Sequence, residues 1–164
     1  MTTPYRIERL AKQDRKAFDC GVEPLTNYLR KQAGQDQKRR VAVCYLLIEQ
    51  ATEQIAAFYT LSAGSIELVD LPLEHVKKLP RYPTLPIARV GRLAVSLAFR
   101  GRGLGSTLLA DAIKRSRTAE MGVYAIVVDA KDDQAAAFYE HHGFKRIGES
   151  NALLLPLGDS LRKL

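Results

Sequence analysis

The amino-acid sequence predicts one mixed α/β domain that spans residues 1–164. Strand-like apolar segments alternate along the chain with amphipathic segments of helical period, an order typical of α/β proteins. The run YAIVVDA (124–130) is mostly apolar and has the β-branched residues Ile126, Val127 and Val128 at its centre, which favours a buried strand in parallel pairing. A length of 164 residues with 46% hydrophobic residues fits about one domain with a sizeable core.

The first half of the chain predicts a strand, a helix and a hairpin. Residues 5–10 form a short strand, and EPLTNYLRKQA (23–33) forms a helix with Pro24 in its first turn. Its apolar face is made of Leu25, Tyr28, Leu29 and Ala33. The segment GQDQKRR (34–40) is expected to be a polar loop. The strands VAVCYLLIE (41–49) and IAAFYTLSAGSIEL (55–68) then pair through the turn QATEQ.

The second half begins with an irregular segment, VDLPLEHVKKLPRYPTLP (69–86). A short helix near Glu74 to Leu79 is its only expected element, because three prolines exclude a longer one. IARVGRLAV (87–95) is the next strand, with a bulge expected at Gly91. A helix follows GRGLG, and after the strand YAIVVDA comes the helix DDQAAAFYEHH, capped by Asp132 and ended by Gly143. FKRIG and ALLLPL complete the chain as strands.

Positive charge is concentrated in one part of the sequence. The net charge is +7, yet the 41 residues from Lys77 to Arg117 hold ten Lys or Arg and one acid, while the other 123 hold 15 bases and 17 acids. Such a field attracts a polyanion, either nucleic acid or the phosphates of a cofactor. A merely solvated basic face gives the same pattern.

Several classes of protein are disfavoured by the composition. The charged N-terminus does not resemble a secretory signal, and no apolar run reaches 18 residues, so a cytoplasmic protein without a membrane span is expected. Cys20 lies in a turn-like segment and Cys44 in an apolar strand, and two cysteines make neither a disulfide framework nor a zinc site. No metal is expected.

The stretch FRGRGLGSTLLADAIKR (99–115) places three glycines directly before an amphipathic helix. The first helical turn has unpaired backbone N–H groups and positive dipole potential, so glycines there favour a bound anion. A P-loop requires a lysine where Ser106 stands, and a dinucleotide fingerprint requires a glycine at Ser106 or at Leu108. Both motifs are therefore absent, and a simple helix-initiating turn is the alternative.

What does fit is [RQ]-x-x-G-x-[GA] at Arg100, Gly103 and Gly105, which resembles the acetyl-CoA pyrophosphate loop of GNAT N-acetyltransferases. GRLAV (91–95) resembles the family's central strand, and AFYEHHGF (137–144) resembles its FYEKxGF element. The resemblance implies a GNAT fold, a central mixed β-sheet flanked by helices, and acetyl-CoA as cosubstrate. The implied cofactor contacts are Leu93, Ala94, Val95, Arg100, Gly101, Arg102, Gly103, Leu104, Gly105 and Ser106.

Longer segments narrow the resemblance. FDCGVEPLTNYLRKQAGQD, YTLSAGSIE, LPRYPTLPIARVGRLAV and VDAKDDQAAAFYEHHGF resemble the GNAT toxins of bacterial type II toxin–antitoxin modules. This implies acetylation of the α-amine of aminoacyl-tRNA, a translation block, a ribbon-helix-helix antitoxin, operator DNA bound only through the antitoxin complex, and a homodimer. The tRNA contacts are then expected at Lys77, Lys78, Arg81, Arg89 and Arg92, with Lys38, Arg39 and Arg40 as weaker candidates.

The resemblance also implies that Tyr139 is the general acid for the leaving thiolate. Phe138 and Tyr139 lie on different helix faces, and Phe138 is expected in the core because a buried phenol needs a partner. No general base is predicted, since an α-amine with a pKa of about 7.7–8.0 is partly neutral near pH 7. The alternatives are a GNAT enzyme for a protein or small-molecule amine, and a CoA- or RNA-binding module without turnover.

Overall fold

The computed structural model of the protein describes residues 4–71, 73–77, 79 and 82–158. Its strands are β1 (Tyr5–Arg9), β2 (Val43–Glu49), β3 (Gln54–Glu67), β4 (Thr84–Val95), β5 (Ala125–Asp129), β6 (Lys145–Arg146) and β7 (Ala152–Pro156). Its helices are α1 (Glu23–Asn27), a π-helix (Tyr28–Gln32), α2 (Ala33–Lys38), α3 (Leu73–Val76), α4 (Leu104–Arg117) and α5 (Asp133–His141), with 3₁₀ turns at Leu68–Asp70 and Leu97–Phe99.

The strands form a seven-stranded mixed sheet in the order β1-β2-β3-β4-β5-β7-β6, which confirms the predicted fold class. The described residues fall into two compact units. Unit A is the chain up to Ser62 together with Gly91–Ala112, and unit B is Ala63–Val90 together with the chain from Ile113 onwards. No helix among the described residues is long and apolar enough to cross a membrane.

Unit A is built on antiparallel pairing of β1 with β2 and of β2 with β3. The core on one face of these strands contains Leu29, Leu46 and Phe58, none of them accessible to solvent. Because apolar side chains at these positions leave water completely, this core fixes the helical segment 23–38 against the sheet of unit A.

The loop expected at residues 34–40 is wrong, because the helix continues through α2 to Lys38. Tertiary hydrogen bonds hold these polar residues in helical form. The Gln37 amide donates to the Leu10 carbonyl at 2.7 Å, and the Cys44 N–H donates to Gln37 Oε1 at 3.0 Å. Glutamine and lysine also have favourable helix propensity, so the polar composition did not by itself exclude a helix.

In unit B, β4 and β5 pair in parallel, with Ile87 opposite Ala125 and Val90 opposite Val128. This confirms the parallel pairing predicted from YAIVVDA. Helix α5 begins as predicted, since the Asp132 carboxylate accepts the Ala135 N–H at 2.8 Å. Strand β4 starts three residues earlier than predicted, and α3 ends before the predicted Leu79.

Candidate functional site

The glycine loop of unit A has the geometry that an anion site requires. Gly101 and Gly103 have φ angles of +77° and +73°, a region that favours glycine. A Cβ added to either would meet no atom within 4 Å, so space remains open beside the loop. Helix α4 starts at Leu104, and its first-turn N–H groups and dipole lie at this end. The loop residues therefore fit a pyrophosphate held by backbone amides.

The arginine side chains of this loop anchor it to other parts of unit A. Arg100 donates to the Cys20 carbonyl at 2.7 Å. Arg102 donates to the Tyr5 hydroxyl at 2.9 Å and lies 3.4 Å from a Glu49 carboxylate oxygen. Both guanidinium groups thus have protein acceptors, and the backbone N–H groups of the loop are further candidate donors to an anion. The side-chain contacts predicted for these two arginines stay a prediction.

The next predicted contact segment is the end of β4 in unit A. The parallel register with β5 runs from Ile87 to Val90, and Leu93, Ala94 and Val95 follow it in the strand. Ala94 is buried with 7% exposure, and its two neighbours are half-buried. Their contact with a pantetheine arm is untested by the structure and stays a prediction.

Tyr139 of unit B is the buried ring of the pair, so the assignment of Phe138 to the core is wrong. Tyr139 is 8% exposed and its ring lies 5.8 Å from that of Phe144, whereas Phe138 is half-buried and packs 4.9 Å from His142. Phe144, which follows the turn at the end of α5, packs against the Tyr139 ring. Phe138 packs instead against His142 at the end of the helix. The two adjacent rings thus have different environments, as predicted, but Tyr139 is the more buried of the two.

No hydrogen bond to the hydroxyl of Tyr139 is formed among the described residues. The hydroxyl is not fully enclosed, since Ser116 Oγ is the only fully enclosed side-chain polar atom without a partner in that part of the chain. Burial of the ring, and secondarily the negative charge of Asp129, raise the pKa of Tyr139 above the ordinary value of about 10. Tyr139 is therefore protonated at neutral pH, which is the form that a proton donor requires.

Asp129 is held by one of the predicted RNA contacts. Arg89 Nη1 lies 2.7 Å from Asp129 Oδ2, and their side chains are 36% and 57% exposed. The ion pair compensates the charge of Arg89, so this residue offers less attraction to a phosphate than the sequence predicted. Asp129 was missed in the sequence analysis, although its place at the carboxyl end of a parallel strand is a common position for functional side chains.

Arg92 has a different environment in unit A. Its guanidinium carbon lies 3.6 Å from the centre of the Tyr28 ring, and its backbone N–H donates to Thr60 Oγ1 at 3.1 Å. Neither Tyr28 nor Thr60 was predicted to have a role. Lys77 is exposed, as are Lys38, Arg39 and Arg40, while Lys78 and Arg81 lie outside the described residues.

Two further features complete the description of possible sites. A cavity of about 840 Å³ in unit B is lined by Arg89 and Val127 of the sheet and by polar side chains that include Glu67, Asp70 and Arg146. Within the described ranges, no cluster of three or more His, Cys, Asp or Glu side chains could hold a metal ion.

Comparison with known proteins places these features in context. The model of the family described as "Acetyltransferase (GNAT) domain" matches residues 42–146. A "tRNA-acetylating toxin" of Mycobacterium tuberculosis is 36% identical over 146 residues, which cover 88% of this chain and 84% of the toxin.

Solved structures are similar over almost the whole chain. AtaT complexed with acetyl-methionyl-tRNAfMet has a TM-score of 0.89 and 29% identity, covering 97% of this chain and 98% of AtaT. A tyrosine-to-phenylalanine variant of AtaT, bound to the C-terminus of its antitoxin AtaR and to acetyl-CoA, has a TM-score of 0.79 and 28% identity, with 94% of each chain covered.

Proposed function

Since this chain belongs to the GNAT acetyltransferases, we propose that it is the toxin of a type II toxin–antitoxin module. It transfers the acetyl group of acetyl-CoA to the α-amine of aminoacyl-tRNA and thereby blocks translation. The observation that carries the proposal is the likeness, over most of the chain, to a protein named as a tRNA-acetylating toxin.

The glycine loop would hold the pyrophosphate of acetyl-CoA. Its two positive-φ glycines leave open space beside the N-terminal turn of α4, where backbone N–H groups are available. The anchored side chains of Arg100 and Arg102 keep the loop in this conformation. Backbone donors that are already in place need no rearrangement on binding, which favours affinity. The segment Leu93–Val95 is the expected binding edge for the pantetheine arm.

Tyr139 would serve as the general acid. When the neutral amine nitrogen bonds to the acetyl carbon and the carbon–sulfur bond breaks, the nitrogen releases one proton to solvent and the thiolate requires one proton. The hydroxyl of Tyr139, which has no hydrogen-bond partner among the described residues, carries that proton at neutral pH, and burial and Asp129 raise its pKa further. The raised pKa makes the transfer to sulfur less favourable than in water, so the proton moves within a hydrogen bond, and solvent restores it to the phenolate.

The proposed acceptor requires little help from a general base. An α-amine has a pKa of about 7.7–8.0, so a fair fraction is neutral near pH 7, whereas a lysine with a pKa of about 10.4 is almost wholly protonated. A protein of this kind would work in the cytoplasm, where charged tRNA is present.

The partners follow from the same proposal. Exposed basic residues such as Lys77, together with Arg92, would contact tRNA phosphates, whose contribution to affinity falls steeply with salt. A ribbon-helix-helix antitoxin would neutralise the enzyme and carry it to operator DNA. We further propose that residues 1–164 act as one acetyltransferase domain and that the active protein is a homodimer.

The test is acetyl transfer from labelled acetyl-CoA to a pool of charged tRNA, with uncharged tRNA as the matched control. We expect label in the charged pool and none in the uncharged pool. Label on lysine-containing peptides or small amines, with none on charged tRNA, would replace the proposal by an ordinary GNAT enzyme. Binding of acetyl-CoA without release of free thiol on any acceptor would indicate a module without turnover.

A further inference from the structure

Arg92 stands out among the described arginines because its charge is stacked on a ring and has no counter-ion. Its guanidinium carbon lies 3.6 Å above the centre of the Tyr28 ring. Among the residues that the structure describes, its guanidinium N–H groups have no hydrogen-bond acceptor and no carboxylate within ion-pair distance. Stacking fixes the plane of a guanidinium while its N–H donors, which lie in that plane, stay available to a further acceptor.

Tyr28 is itself held firmly. It is 6% exposed, and its ring is stacked on Phe58 with centroids 6.3 Å apart and an interplanar angle of 16°. Its hydroxyl donates to Asp36 Oδ2 at 2.8 Å, and Gln32 donates to the other oxygen of that carboxylate at 3.1 Å. Both oxygens of Asp36 are thus used to keep the Tyr28 ring in one position.

The backbone around Tyr28 supports this arrangement. Residues Tyr28–Gln32 form a π-helical turn, in which the Ala33 N–H donates to the Tyr28 carbonyl five residues earlier. Such wide turns are rare and occur often at functional sites. Here the turn lies between two α-helical segments, so it sets the direction of the Tyr28 ring relative to α2 and Asp36.

The other end of Arg92 is fixed by β3. The Arg92 N–H donates to Thr60 Oγ1 at 3.1 Å, and Thr60 is 1% exposed. The Arg92 N–H thus has a side-chain acceptor on β3, and the bulge expected at Gly91 stays a prediction. With its backbone held by Thr60 and its guanidinium by Tyr28, Arg92 has little conformational freedom left to lose when it binds a ligand.

We propose that Tyr28 is a positioning residue that holds Arg92 ready to bind a phosphate group of the substrate RNA. This rests on the proposed function, which supplies an RNA substrate. A planar guanidinium binds a phosphate through two parallel N–H donors, and a fixed plane makes that geometry available before binding. Tyr28 acts through Arg92 and touches no substrate, so its loss affects RNA affinity and leaves the chemical step unchanged.

The experiment compares Tyr28→Leu with Tyr28→Phe in steady-state kinetics. We expect Tyr28→Leu to raise the KM for charged tRNA about tenfold, a change within the range of a lost cation–π contact. The kcat and the KM for acetyl-CoA should stay within about twofold of the wild-type values. Tyr28→Phe retains the stacked ring and should restore the KM for tRNA to within about threefold. Equal effects of Leu and Phe, or no effect of Leu, would overturn the proposal.

A double-mutant cycle separates positioning from a general effect on folding. In an Arg92→Gln background, Tyr28→Leu should cause no further rise in the KM for tRNA, because the group that it positions is gone. Additive effects would show that Tyr28 acts independently of Arg92. If Tyr28→Leu does not fold, Tyr28→His and Tyr28→Phe in both backgrounds form the cycle, with thermal unfolding as the check.

Binding of uncharged tRNA distinguishes failure of this proposal from failure of the proposed function. If the wild type binds tRNA but acetylates no charged tRNA, the function is wrong, and weaker binding by Tyr28→Leu than by Tyr28→Phe still supports the positioning role. If the wild type acetylates charged tRNA and both variants match it in KM, only the positioning role is wrong. If the wild type neither binds nor acetylates tRNA, both proposals are wrong.

Discussion

Two arginines of β4, Arg89 in unit B and Arg92 in unit A, carry the same charge in opposite environments. Arg89 is paired at 2.7 Å with Asp129, a carboxylate that also raises the pKa of Tyr139. Arg92 lies on the ring of a tyrosine and has no carboxylate partner in the described part of the chain. The basic segment is therefore not uniform, because the partner of each arginine decides whether its charge is compensated by a carboxylate.

The largest expected effect is on the chemical step, and it concerns Tyr139, whose pKa is raised by Asp129, the ion-pair partner of Arg89. Tyr139→Phe removes the proton donor and should lower kcat about 10²–10⁴-fold, with the KM values little changed. Tyr124→Phe is the matched control, because Tyr124 is a half-buried tyrosine of the same unit whose pKa burial also raises. A loss in Tyr124→Phe as large as that in Tyr139→Phe would remove the catalytic assignment.

The second expected effect contrasts the two arginines directly. Arg92→Gln should raise the KM for charged tRNA about tenfold or more, and should reduce the salt dependence of tRNA binding by about one phosphate contact. Arg89→Gln should change the KM for tRNA far less, since its charge is already compensated by Asp129. Steady-state kinetics measure the KM for tRNA of each variant, and binding isotherms over a range of salt concentrations measure the salt dependence of tRNA binding. Equal salt dependence in the two variants would contradict the predicted difference between Arg89 and Arg92.

A third substitution tests the proposed acetyl-CoA site and alters neither Arg89 nor Arg92. Gly103→Ala forces a residue with a Cβ into a φ of +73°, at a cost of about 1 kcal/mol. We expect the KM for acetyl-CoA to rise several-fold while the KM for tRNA stays constant. Gly122→Ala is the control, because a Cβ there also meets no atom within 4 Å and no positive φ is required. Identical kinetics for the two alanine variants would argue against the loop as the pyrophosphate site.

The smallest expected effect is on pH dependence. Asp129→Asn removes a negative charge that raises the pKa of Tyr139, so that pKa should fall while staying above its ordinary value because the ring remains buried. A general acid works only while protonated, so activity on the alkaline side should be lost at lower pH than in the wild type. Arg89→Gln should move this alkaline loss of activity to higher pH, since the negative charge of Asp129 then lacks its counter-charge and raises the pKa of Tyr139 further. Phenolate absorbance, with Tyr139→Phe subtracted, measures both shifts, and shifts of the same sign would contradict the account.

The sequence predicted best what depends on local periodicity and turn chemistry. The amphipathic helix predicted after the glycine loop is α4, on which Leu108, Leu109 and Ala112 are all at most 1% exposed. The cap at Asp132 was predicted from residues within a few positions of one another. The parallel pairing of β5 was predicted from the composition of that strand alone, although its partner β4 lies far away in the sequence.

The failures have a different cause, since each depended on a contact outside the segment from which the prediction was made. Helix α2 was missed because Gln37 bonds to Leu10 and Cys44, residues outside the segment. Phe138 was assigned to the core in place of Tyr139, because Phe144, which packs on Tyr139, lies beyond the turn that ends α5. The pairing of Arg89 with Asp129, forty residues away, likewise has no local signal, whereas the RNA contacts of the basic segment stay a prediction.

The central claim is that the α-amine of aminoacyl-tRNA receives the acetyl group, and the atom acetylated can be identified directly. Charged tRNA is incubated with acetyl-CoA and the protein, digested with nuclease, and the 3′-terminal aminoacyl-adenosine is analysed by mass spectrometry. The account predicts a terminal nucleoside that carries an N-acetylated amino acid, formed by the wild type and scarcely by Tyr139→Phe. An unmodified aminoacyl-adenosine alongside acetylation of another amine by the same preparation would contradict it.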